Sequence, residues 1–190
     1  MLFHRDFVPA FQAVYHDYSF SYARLSGKFQ DWAEEYAYAD PSGKTNVEEV
    51  AMLGMRNFSY GIHPGVVRIN LPSYSPDAAA IAKHLGRMWL DNQKYVMFGK
   101  MLPTPEIISG NGVLTTGLPF RDSTQYEYPT VRTAAWQALD NSVAIVITNA
   151  AKTVMAPEIK YNAAAYVSAP YVTLRDRTTD NTELGRVKNK

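Results

Sequence analysis

Cysteine is absent from all 190 residues. Its absence removes disulfides, thiolate metal sites and cysteine nucleophiles together. An excess of charge of either sign is also missing. The 19 basic and 18 acidic residues leave a net charge of +1. Such a balance produces no field to steer nucleic acid or an acidic membrane surface toward the chain. No run approaches the ~20 apolar residues that span a bilayer. The first residues, Met1-Leu2-Phe3-His4-Arg5-Asp6, bring charge into the opening turn without an apolar run behind it. They do not read as a signal peptide, so a soluble chain of open location is expected. Metal and catalytic motifs are scarce too. Nothing like H-E-x-x-H occurs, no serine sits in a G-x-S-x-G elbow, and Gly110-Asn111-Gly112 lacks the strand and helix of a phosphate loop. No cofactor and no metal site is expected.

Aromatics are plentiful, with 13 Tyr, 8 Phe and 3 Trp. Tyrosine suits sugar stacking, but equally interfaces and strand pairs. A hydrophobic share of 46% supports one good core or two small ones. Ala10 to Tyr15 reads as a buried strand emerging at His16-Asp17, although a helix over Phe11 to Tyr22 also fits the short apolar run. Phe29 to Ala39 has helical composition, and Asp40-Pro41-Ser42-Gly43 is a turn. Thr45 or Asn46 caps the next helix, with Glu48 and Glu49 in its first turn. Its stripe of Val47, Val50, Ala51, Leu53, Met55 and Phe58 ends at Gly61. Val66 to Leu71 alternates like a short strand or link.

Ser75-Pro76-Asp77 then opens a long amphipathic helix, expected to run from about Pro76 to Met101. Ile81, Leu85, Met88, Trp89, Val96 and Phe98 form its apolar stripe. Past Pro105 a loop-rich stretch is punctuated by Gly110, Gly112, Gly117 and Pro119. Val131 to Trp136, Val143 to Thr148, Val154 to Tyr161 and Tyr166 to Leu174 read as strands. The first two should form an antiparallel hairpin about Asp140-Asn141. The expected class is α+β: a mainly helical or partial α/β-barrel segment over residues 1–105, and an antiparallel β-sandwich over 106–176. A polar, frayed tail is expected over 177–190.

This order of pieces resembles the C-terminal region of (β/α)8-barrel glycoside hydrolases, whose last helix leads into a small β-sandwich. The junction resemblance lies in Tyr95-Val96-Met97-Phe98-Gly99-Lys100-Met101-Leu102-Pro103. The sandwich resemblance lies in Ala134-Ala135-Trp136-Gln137-Ala138-Leu139-Asp140-Asn141-Ser142 and Val143-Ala144-Ile145-Val146-Ile147-Thr148-Asn149-Ala150. It covers roughly Pro76 to Tyr161. The resemblance further implies that Phe11 to Tyr15 is the seventh barrel strand and Val47 to Tyr60 the helix after it, with Phe58 to Pro64 approaching the eighth. A complete barrel needs eight such units and about 250 residues, and this chain has room for two. A partial barrel exposes strand edges, so a homo-oligomer is expected.

The resemblance implies hydrolysis of glycosidic bonds by a carboxylate pair. Asp17, at the mouth of an apolar strand, is the first candidate. Glu34 and Glu35, among Trp32 and Tyr38, supply the second, while Asp31, Glu48 and Glu49 complete the pool. Tyr15, His16, Tyr18, Trp32, Tyr36 and His63 are the candidate sugar contacts. The alternative is a non-catalytic carbohydrate-binding or oligomeric accessory module, which needs only an exposed aromatic groove. No nucleic-acid or membrane partner is expected.

Overall fold

The structure, a computed structural model, describes residue 14 and residues 47–63, 76–117, 125–178 and 182–188. The expected helix at Phe29 to Ala39, the turn at 40–43, the cap at Thr45 or Asn46 and the Val66 to Leu71 segment lie outside the described residues. Val14 is helical and 61% exposed. The buried strand over Ala10 to Tyr15 is therefore corrected at that position. A run of six residues has too few alternations to separate period 2 from period 3.6.

Helix α1 (Val47–Ser59) ends where the sequence stops it. Gly61 adopts φ 65°, and its N–H donates to the Phe58 carbonyl while Ile62 N–H reaches back to Asn57 at 2.9 Å. This paired closure of the last turn favours a residue without Cβ. Helix α2 (Pro76–Asp91) buries Ala78, Ala82, Leu85 and Trp89, at steps of four, three and four. Those steps keep one stripe toward the core.

The long helix does not run on to Met101. It breaks at Asn92, which has φ −118° and ψ 16°. The Asn92 amide donates to the Met88 carbonyl at 2.9 Å, as its own backbone N–H does at 3.1 Å. Such local side-chain bonds compete with helical continuation. One further turn, α3 (Gln93–Val96), follows, and then the chain becomes strand β1 (Lys100–Leu102). Gly99 makes that change possible. A Cβ there would collide with the backbone carbonyl oxygens of Tyr95 and Gln137.

Among the described residues nine strands follow α3. Besides β1 they are β2 (Glu106–Ser109), β3 (Val113–Gly117), β4 (Gln125–Pro129), β5 (Val131–Gln137), β6 (Val143–Asn149), β7 (Glu158–Lys160), β8 (Tyr171–Arg175) and β9 (Glu183–Lys188). β1, β5 and β6 form one antiparallel sheet with β5 in the centre. Its register pairs Val131 with Asn149 and Gln137 with Val143. The hairpin about Asp140-Asn141 stands where the turn chemistry put it. The remaining strands form two-stranded ribbons, β2–β7, β3–β4 and β8–β9. Four sequence expectations change. The loop-rich stretch after Pro105 contains β2 and β3. The Val154 to Tyr161 strand shrinks to Glu158–Lys160, and the Tyr166 to Leu174 strand to Tyr171–Arg175. The tail read as frayed supplies β9, whose partner β8 lies nearby in sequence. Among the described residues no barrel closes, and the architecture is mixed α+β.

The core lies between the helices and one face of the sheet. Phe58, Leu85, Trp89, Tyr95 and Val96 meet Ala134 and Trp136 there. Trp136 is fully buried and donates its indole N–H to the Ser59 carbonyl at 3.1 Å. That bond satisfies a polar group at the otherwise orphaned end of α1. The small side chain of Ala134 leaves room on that face for the large ring two residues on. Position 105 is no gap in this arrangement. β1 pairs with β5, and the Thr133 hydroxyl donates to the Pro105 carbonyl at 2.7 Å. No helix among the described residues is long and apolar enough to cross a membrane.

Candidate functional site

The described residues form a cleft of about 540 Å³ where α3 hands over to β1 and β5 turns into β6. Met97, Phe98 and Lys100 line one wall, and Gln137, Ala138, Leu139 and Asn141 the other. The two walls come from segments about forty residues apart. The β1–β5 register, which sets Lys100 opposite Gln137, brings them together.

The turn is built by local chemistry. Ala138 N–H donates to Ser142, and Asn141 N–H donates back to Ala138, both at 2.9 Å. Asn141 takes φ 63°, the left-handed conformation that closes a three-residue hairpin loop and that Asn tolerates well. Asp140 Oδ1 accepts the Ser142 N–H at 3.0 Å and also bonds the Ser142 hydroxyl. With the turn so closed, Leu139 projects into solvent. Phe98, just before Gly99, remains 55% exposed.

An ion pair ties the turn to α3. Lys94 Nζ lies 2.8 Å from Asp140 Oδ2 and 3.1 Å from the Ser142 hydroxyl, which donates to Tyr95 Oη at 3.0 Å. The Lys94 bond, followed by those of Ser142, holds the Asp140 carboxyl well below its usual range. In return Asp140 raises the Lys94 ammonium. Lys94 also stands 4.7 Å from the Tyr95 ring centroid, and Arg177 approaches that ring at 5.8 Å. Arg177 then joins the C-terminal ribbon to the helix break. It donates to Asn92 Oδ1 at 2.8 Å and to the Asp91 carbonyl at 2.9 Å.

A second polar group lies between α1 and β5. Burial lowers the Arg56 guanidinium from its usual value, and the neighbouring Arg132 charge adds to the effect. Arg132 donates to Tyr60 Oη at 3.4 Å, and Arg56 to Asn57 Oδ1 at 3.3 Å. Arg56, Tyr60 and Tyr128 have further partners besides these. The group acts as a polar tie between helix and sheet.

Of the sequence-derived candidates, His63 is described, and Glu48 and Glu49 fall in the first turn of α1. The His63 ring meets Trp89 edge to face, centroids 4.5 Å apart, at the seam of α1 and α2. Asp17, Glu34, Glu35, Tyr15, His16, Tyr18, Trp32 and Tyr36 lie outside the described residues. Among the described acids, Asp140, Asp91 and Glu183 are each held by a basic neighbour. No group of three or more metal-capable side chains occurs among the described residues. The sequence reading did not single out Phe98, Gln137 and Asn141, which line the cleft. One signal was present: Phe98 is the last residue of the apolar stripe and stands beside a glycine. No family model, no curated protein and no solved structure matches the chain.

Proposed function

We propose that this chain is a carbohydrate-binding accessory module, with the cleft around Phe98 as its sugar platform. The observation that supports it is the exposed Phe98 ring flanked by Lys100, Gln137 and Asn141. A sugar ring presents axial C–H groups that sit well on an aromatic face, and hydroxyls around its rim that require donors and acceptors. Lys100 offers donors, and Asn141 offers both kinds of group. Gln137 gives one amide hydrogen to the Tyr166 carbonyl at 3.2 Å and keeps its oxygen for a hydroxyl. In this reading the strands after residue 105 serve as a sandwich-like support for the platform.

Titration with a panel of neutral oligosaccharides, followed by calorimetry or amide shifts, tests the proposal. Phe98→Ala should weaken the best ligand by about tenfold or more, the loss expected for an aromatic anchor. Binding that ignores Phe98 removes the cleft from the proposal. Hydrolysis would require the acids proposed from the first residues, Asp17 with Glu34 or Glu35. Turnover of an aryl glycoside that disappears in Asp17→Asn would replace the binding reading with a catalytic one.

A further inference from the structure

We propose that β6 is a self-pairing edge, through which two copies of this chain join their sheets about a twofold axis. Among the described residues, β6 is the last strand of its sheet, hydrogen-bonded to β5 alone. The ladder shows which groups face outward. Ala150 N–H donates to Thr130 and Ala138 N–H to Ser142, so the even-numbered residues of β6 bond to β5. Antiparallel ladders alternate. Val143, Ile145, Ile147 and Asn149 therefore direct their N–H and C=O groups away from β5.

The same odd-numbered residues place their side chains on the sheet face opposite α1. Ile145 is 44% exposed and Ile147 55%. Edge strands are usually guarded by a charge, a proline or a bulge. β6, Val-Ala-Ile-Val-Ile-Thr-Asn, contains no charge and no proline, and its register to β5 is unbroken over seven pairs. It is a complete pairing template that nothing in its own sequence guards.

A second copy fits this edge in one register of full overlap. With Val146 on the axis, Val143 faces Asn149 of the partner subunit. Ile145 likewise faces Ile147 of the partner subunit. Outward-facing residues then meet only outward-facing residues, so every free group in the strand is matched. The four isoleucines close into one apolar cluster on a single face. A seven-residue edge makes a small interface, so the dimer should be weak and concentration-dependent.

The chain has no native cysteine, which permits a register-specific test. Residues facing each other across a non-hydrogen-bonded pair stand about 4.5 Å apart between Cα atoms, within disulfide range. Val146→Cys should therefore cross-link to itself under mild oxidation, whereas Ile145→Cys, set opposite position 147, should not. In sedimentation velocity the native chain should shift toward dimer as concentration rises. Ile145→Lys combined with Ile147→Lys, both on exposed positions, should raise the dimer dissociation constant at least about a hundredfold. A chain that stays monomeric to its solubility limit overturns the proposal and leaves the edge to a strand from another protein. So does a dimer indifferent to the lysines, or one cross-linked through position 145 instead of 146. The test is separate from the sugar reading, because oligosaccharide affinity is measured on the monomeric lysine variant.

Discussion

The helix-backed sheet and the peripheral ribbons are made of similar residues, yet they bury them very differently. In β5 all seven positions are buried or half-buried. In β8 four of five positions are exposed, and β7 alternates exposed and half-buried. The difference lies in what covers each face. β5 has a strand on either side and two helices against one face, so Ala134 and Trp136 lose their water completely. A two-stranded ribbon has no such cover, and its stability depends on cross-strand pairs and on ties to the larger body. The β8–β9 ribbon illustrates this with an Arg175–Glu183 bond at 3.3 Å and Arg186 placed 4.6 Å from the Tyr171 ring. Surface pairs of this kind contribute little each. Strand propensity is therefore the same currency in both regions, and burial decides what it is worth.

The largest test of that contrast is truncation at matched positions. Trp136→Ala should destabilise the fold by about 3–5 kcal/mol, since it opens a cavity and frees the Ser59 carbonyl. Leu174→Ala, on the exposed ribbon, should cost less than about 0.5 kcal/mol. Denaturant melts of both variants measure the difference, and equal losses would break the comparison.

A smaller effect is expected at the tie between the two regions. Asn111 Oδ1 accepts the Val131 N–H at 2.9 Å and the Thr130 hydroxyl at 3.2 Å, and its amide donates to the Val131 carbonyl at 3.1 Å. It docks the turn between β2 and β3 against the start of β5 as if it were another strand residue. Asn111→Ala should cost about 1–2 kcal/mol and leave Val131 N–H without that acceptor. Faster hydrogen exchange at Val131, with Trp136 emission unchanged, would localise the loss to the tie.

The smallest effect belongs to the Lys94–Asp140 pair, and pH reveals it. The Asp140 carboxyl is lowered in the folded state. Its contribution is thus present above the ordinary carboxylate range and drains away as pH falls below about 3.8. Lys94 is raised, so its share is complete up to its ordinary range and is lost only as pH climbs beyond about 10.5. Asp140→Asn should lower stability slightly at neutral pH, and the gap from the native chain should close in acid. Added salt should narrow it as well, because the pair is exposed. A gap independent of pH would assign the effect to the turn alone.

Elements with local causes form where their own residues dictate, and those with distant causes do not. α1 ends as expected because Gly61 supplies the left-handed closing residue. The β5–β6 hairpin forms as expected because Asp140, Asn141 and Ser142 build its loop from their own side chains. The long helix was overextended for the opposite reason. Apolar spacing through Val96 and Phe98 continues the stripe, yet β1 is drawn out of the helix by a partner about 35 residues later. The cleft was invisible for the same cause. Phe98 and Asn141 become neighbours only through that strand pairing. β2 and β9 are short and largely exposed, so no single segment announces them.

Residue chemistry by itself determined the α+β class, the start of α2 at Pro76, the stop at Gly61 and the central hairpin. Each rests on bonds between residues a few positions apart. Only the tertiary structure decided where the junction helix breaks, which strand lies at the sheet's edge, and that Phe98 faces an open cleft instead of the core. Those outcomes rest on contacts across forty to ninety residues, such as Arg177 on the Asp91 carbonyl and Trp136 on Ser59. Contacts of that range form only when the chain has closed on itself, and they override the local preference of every segment they touch.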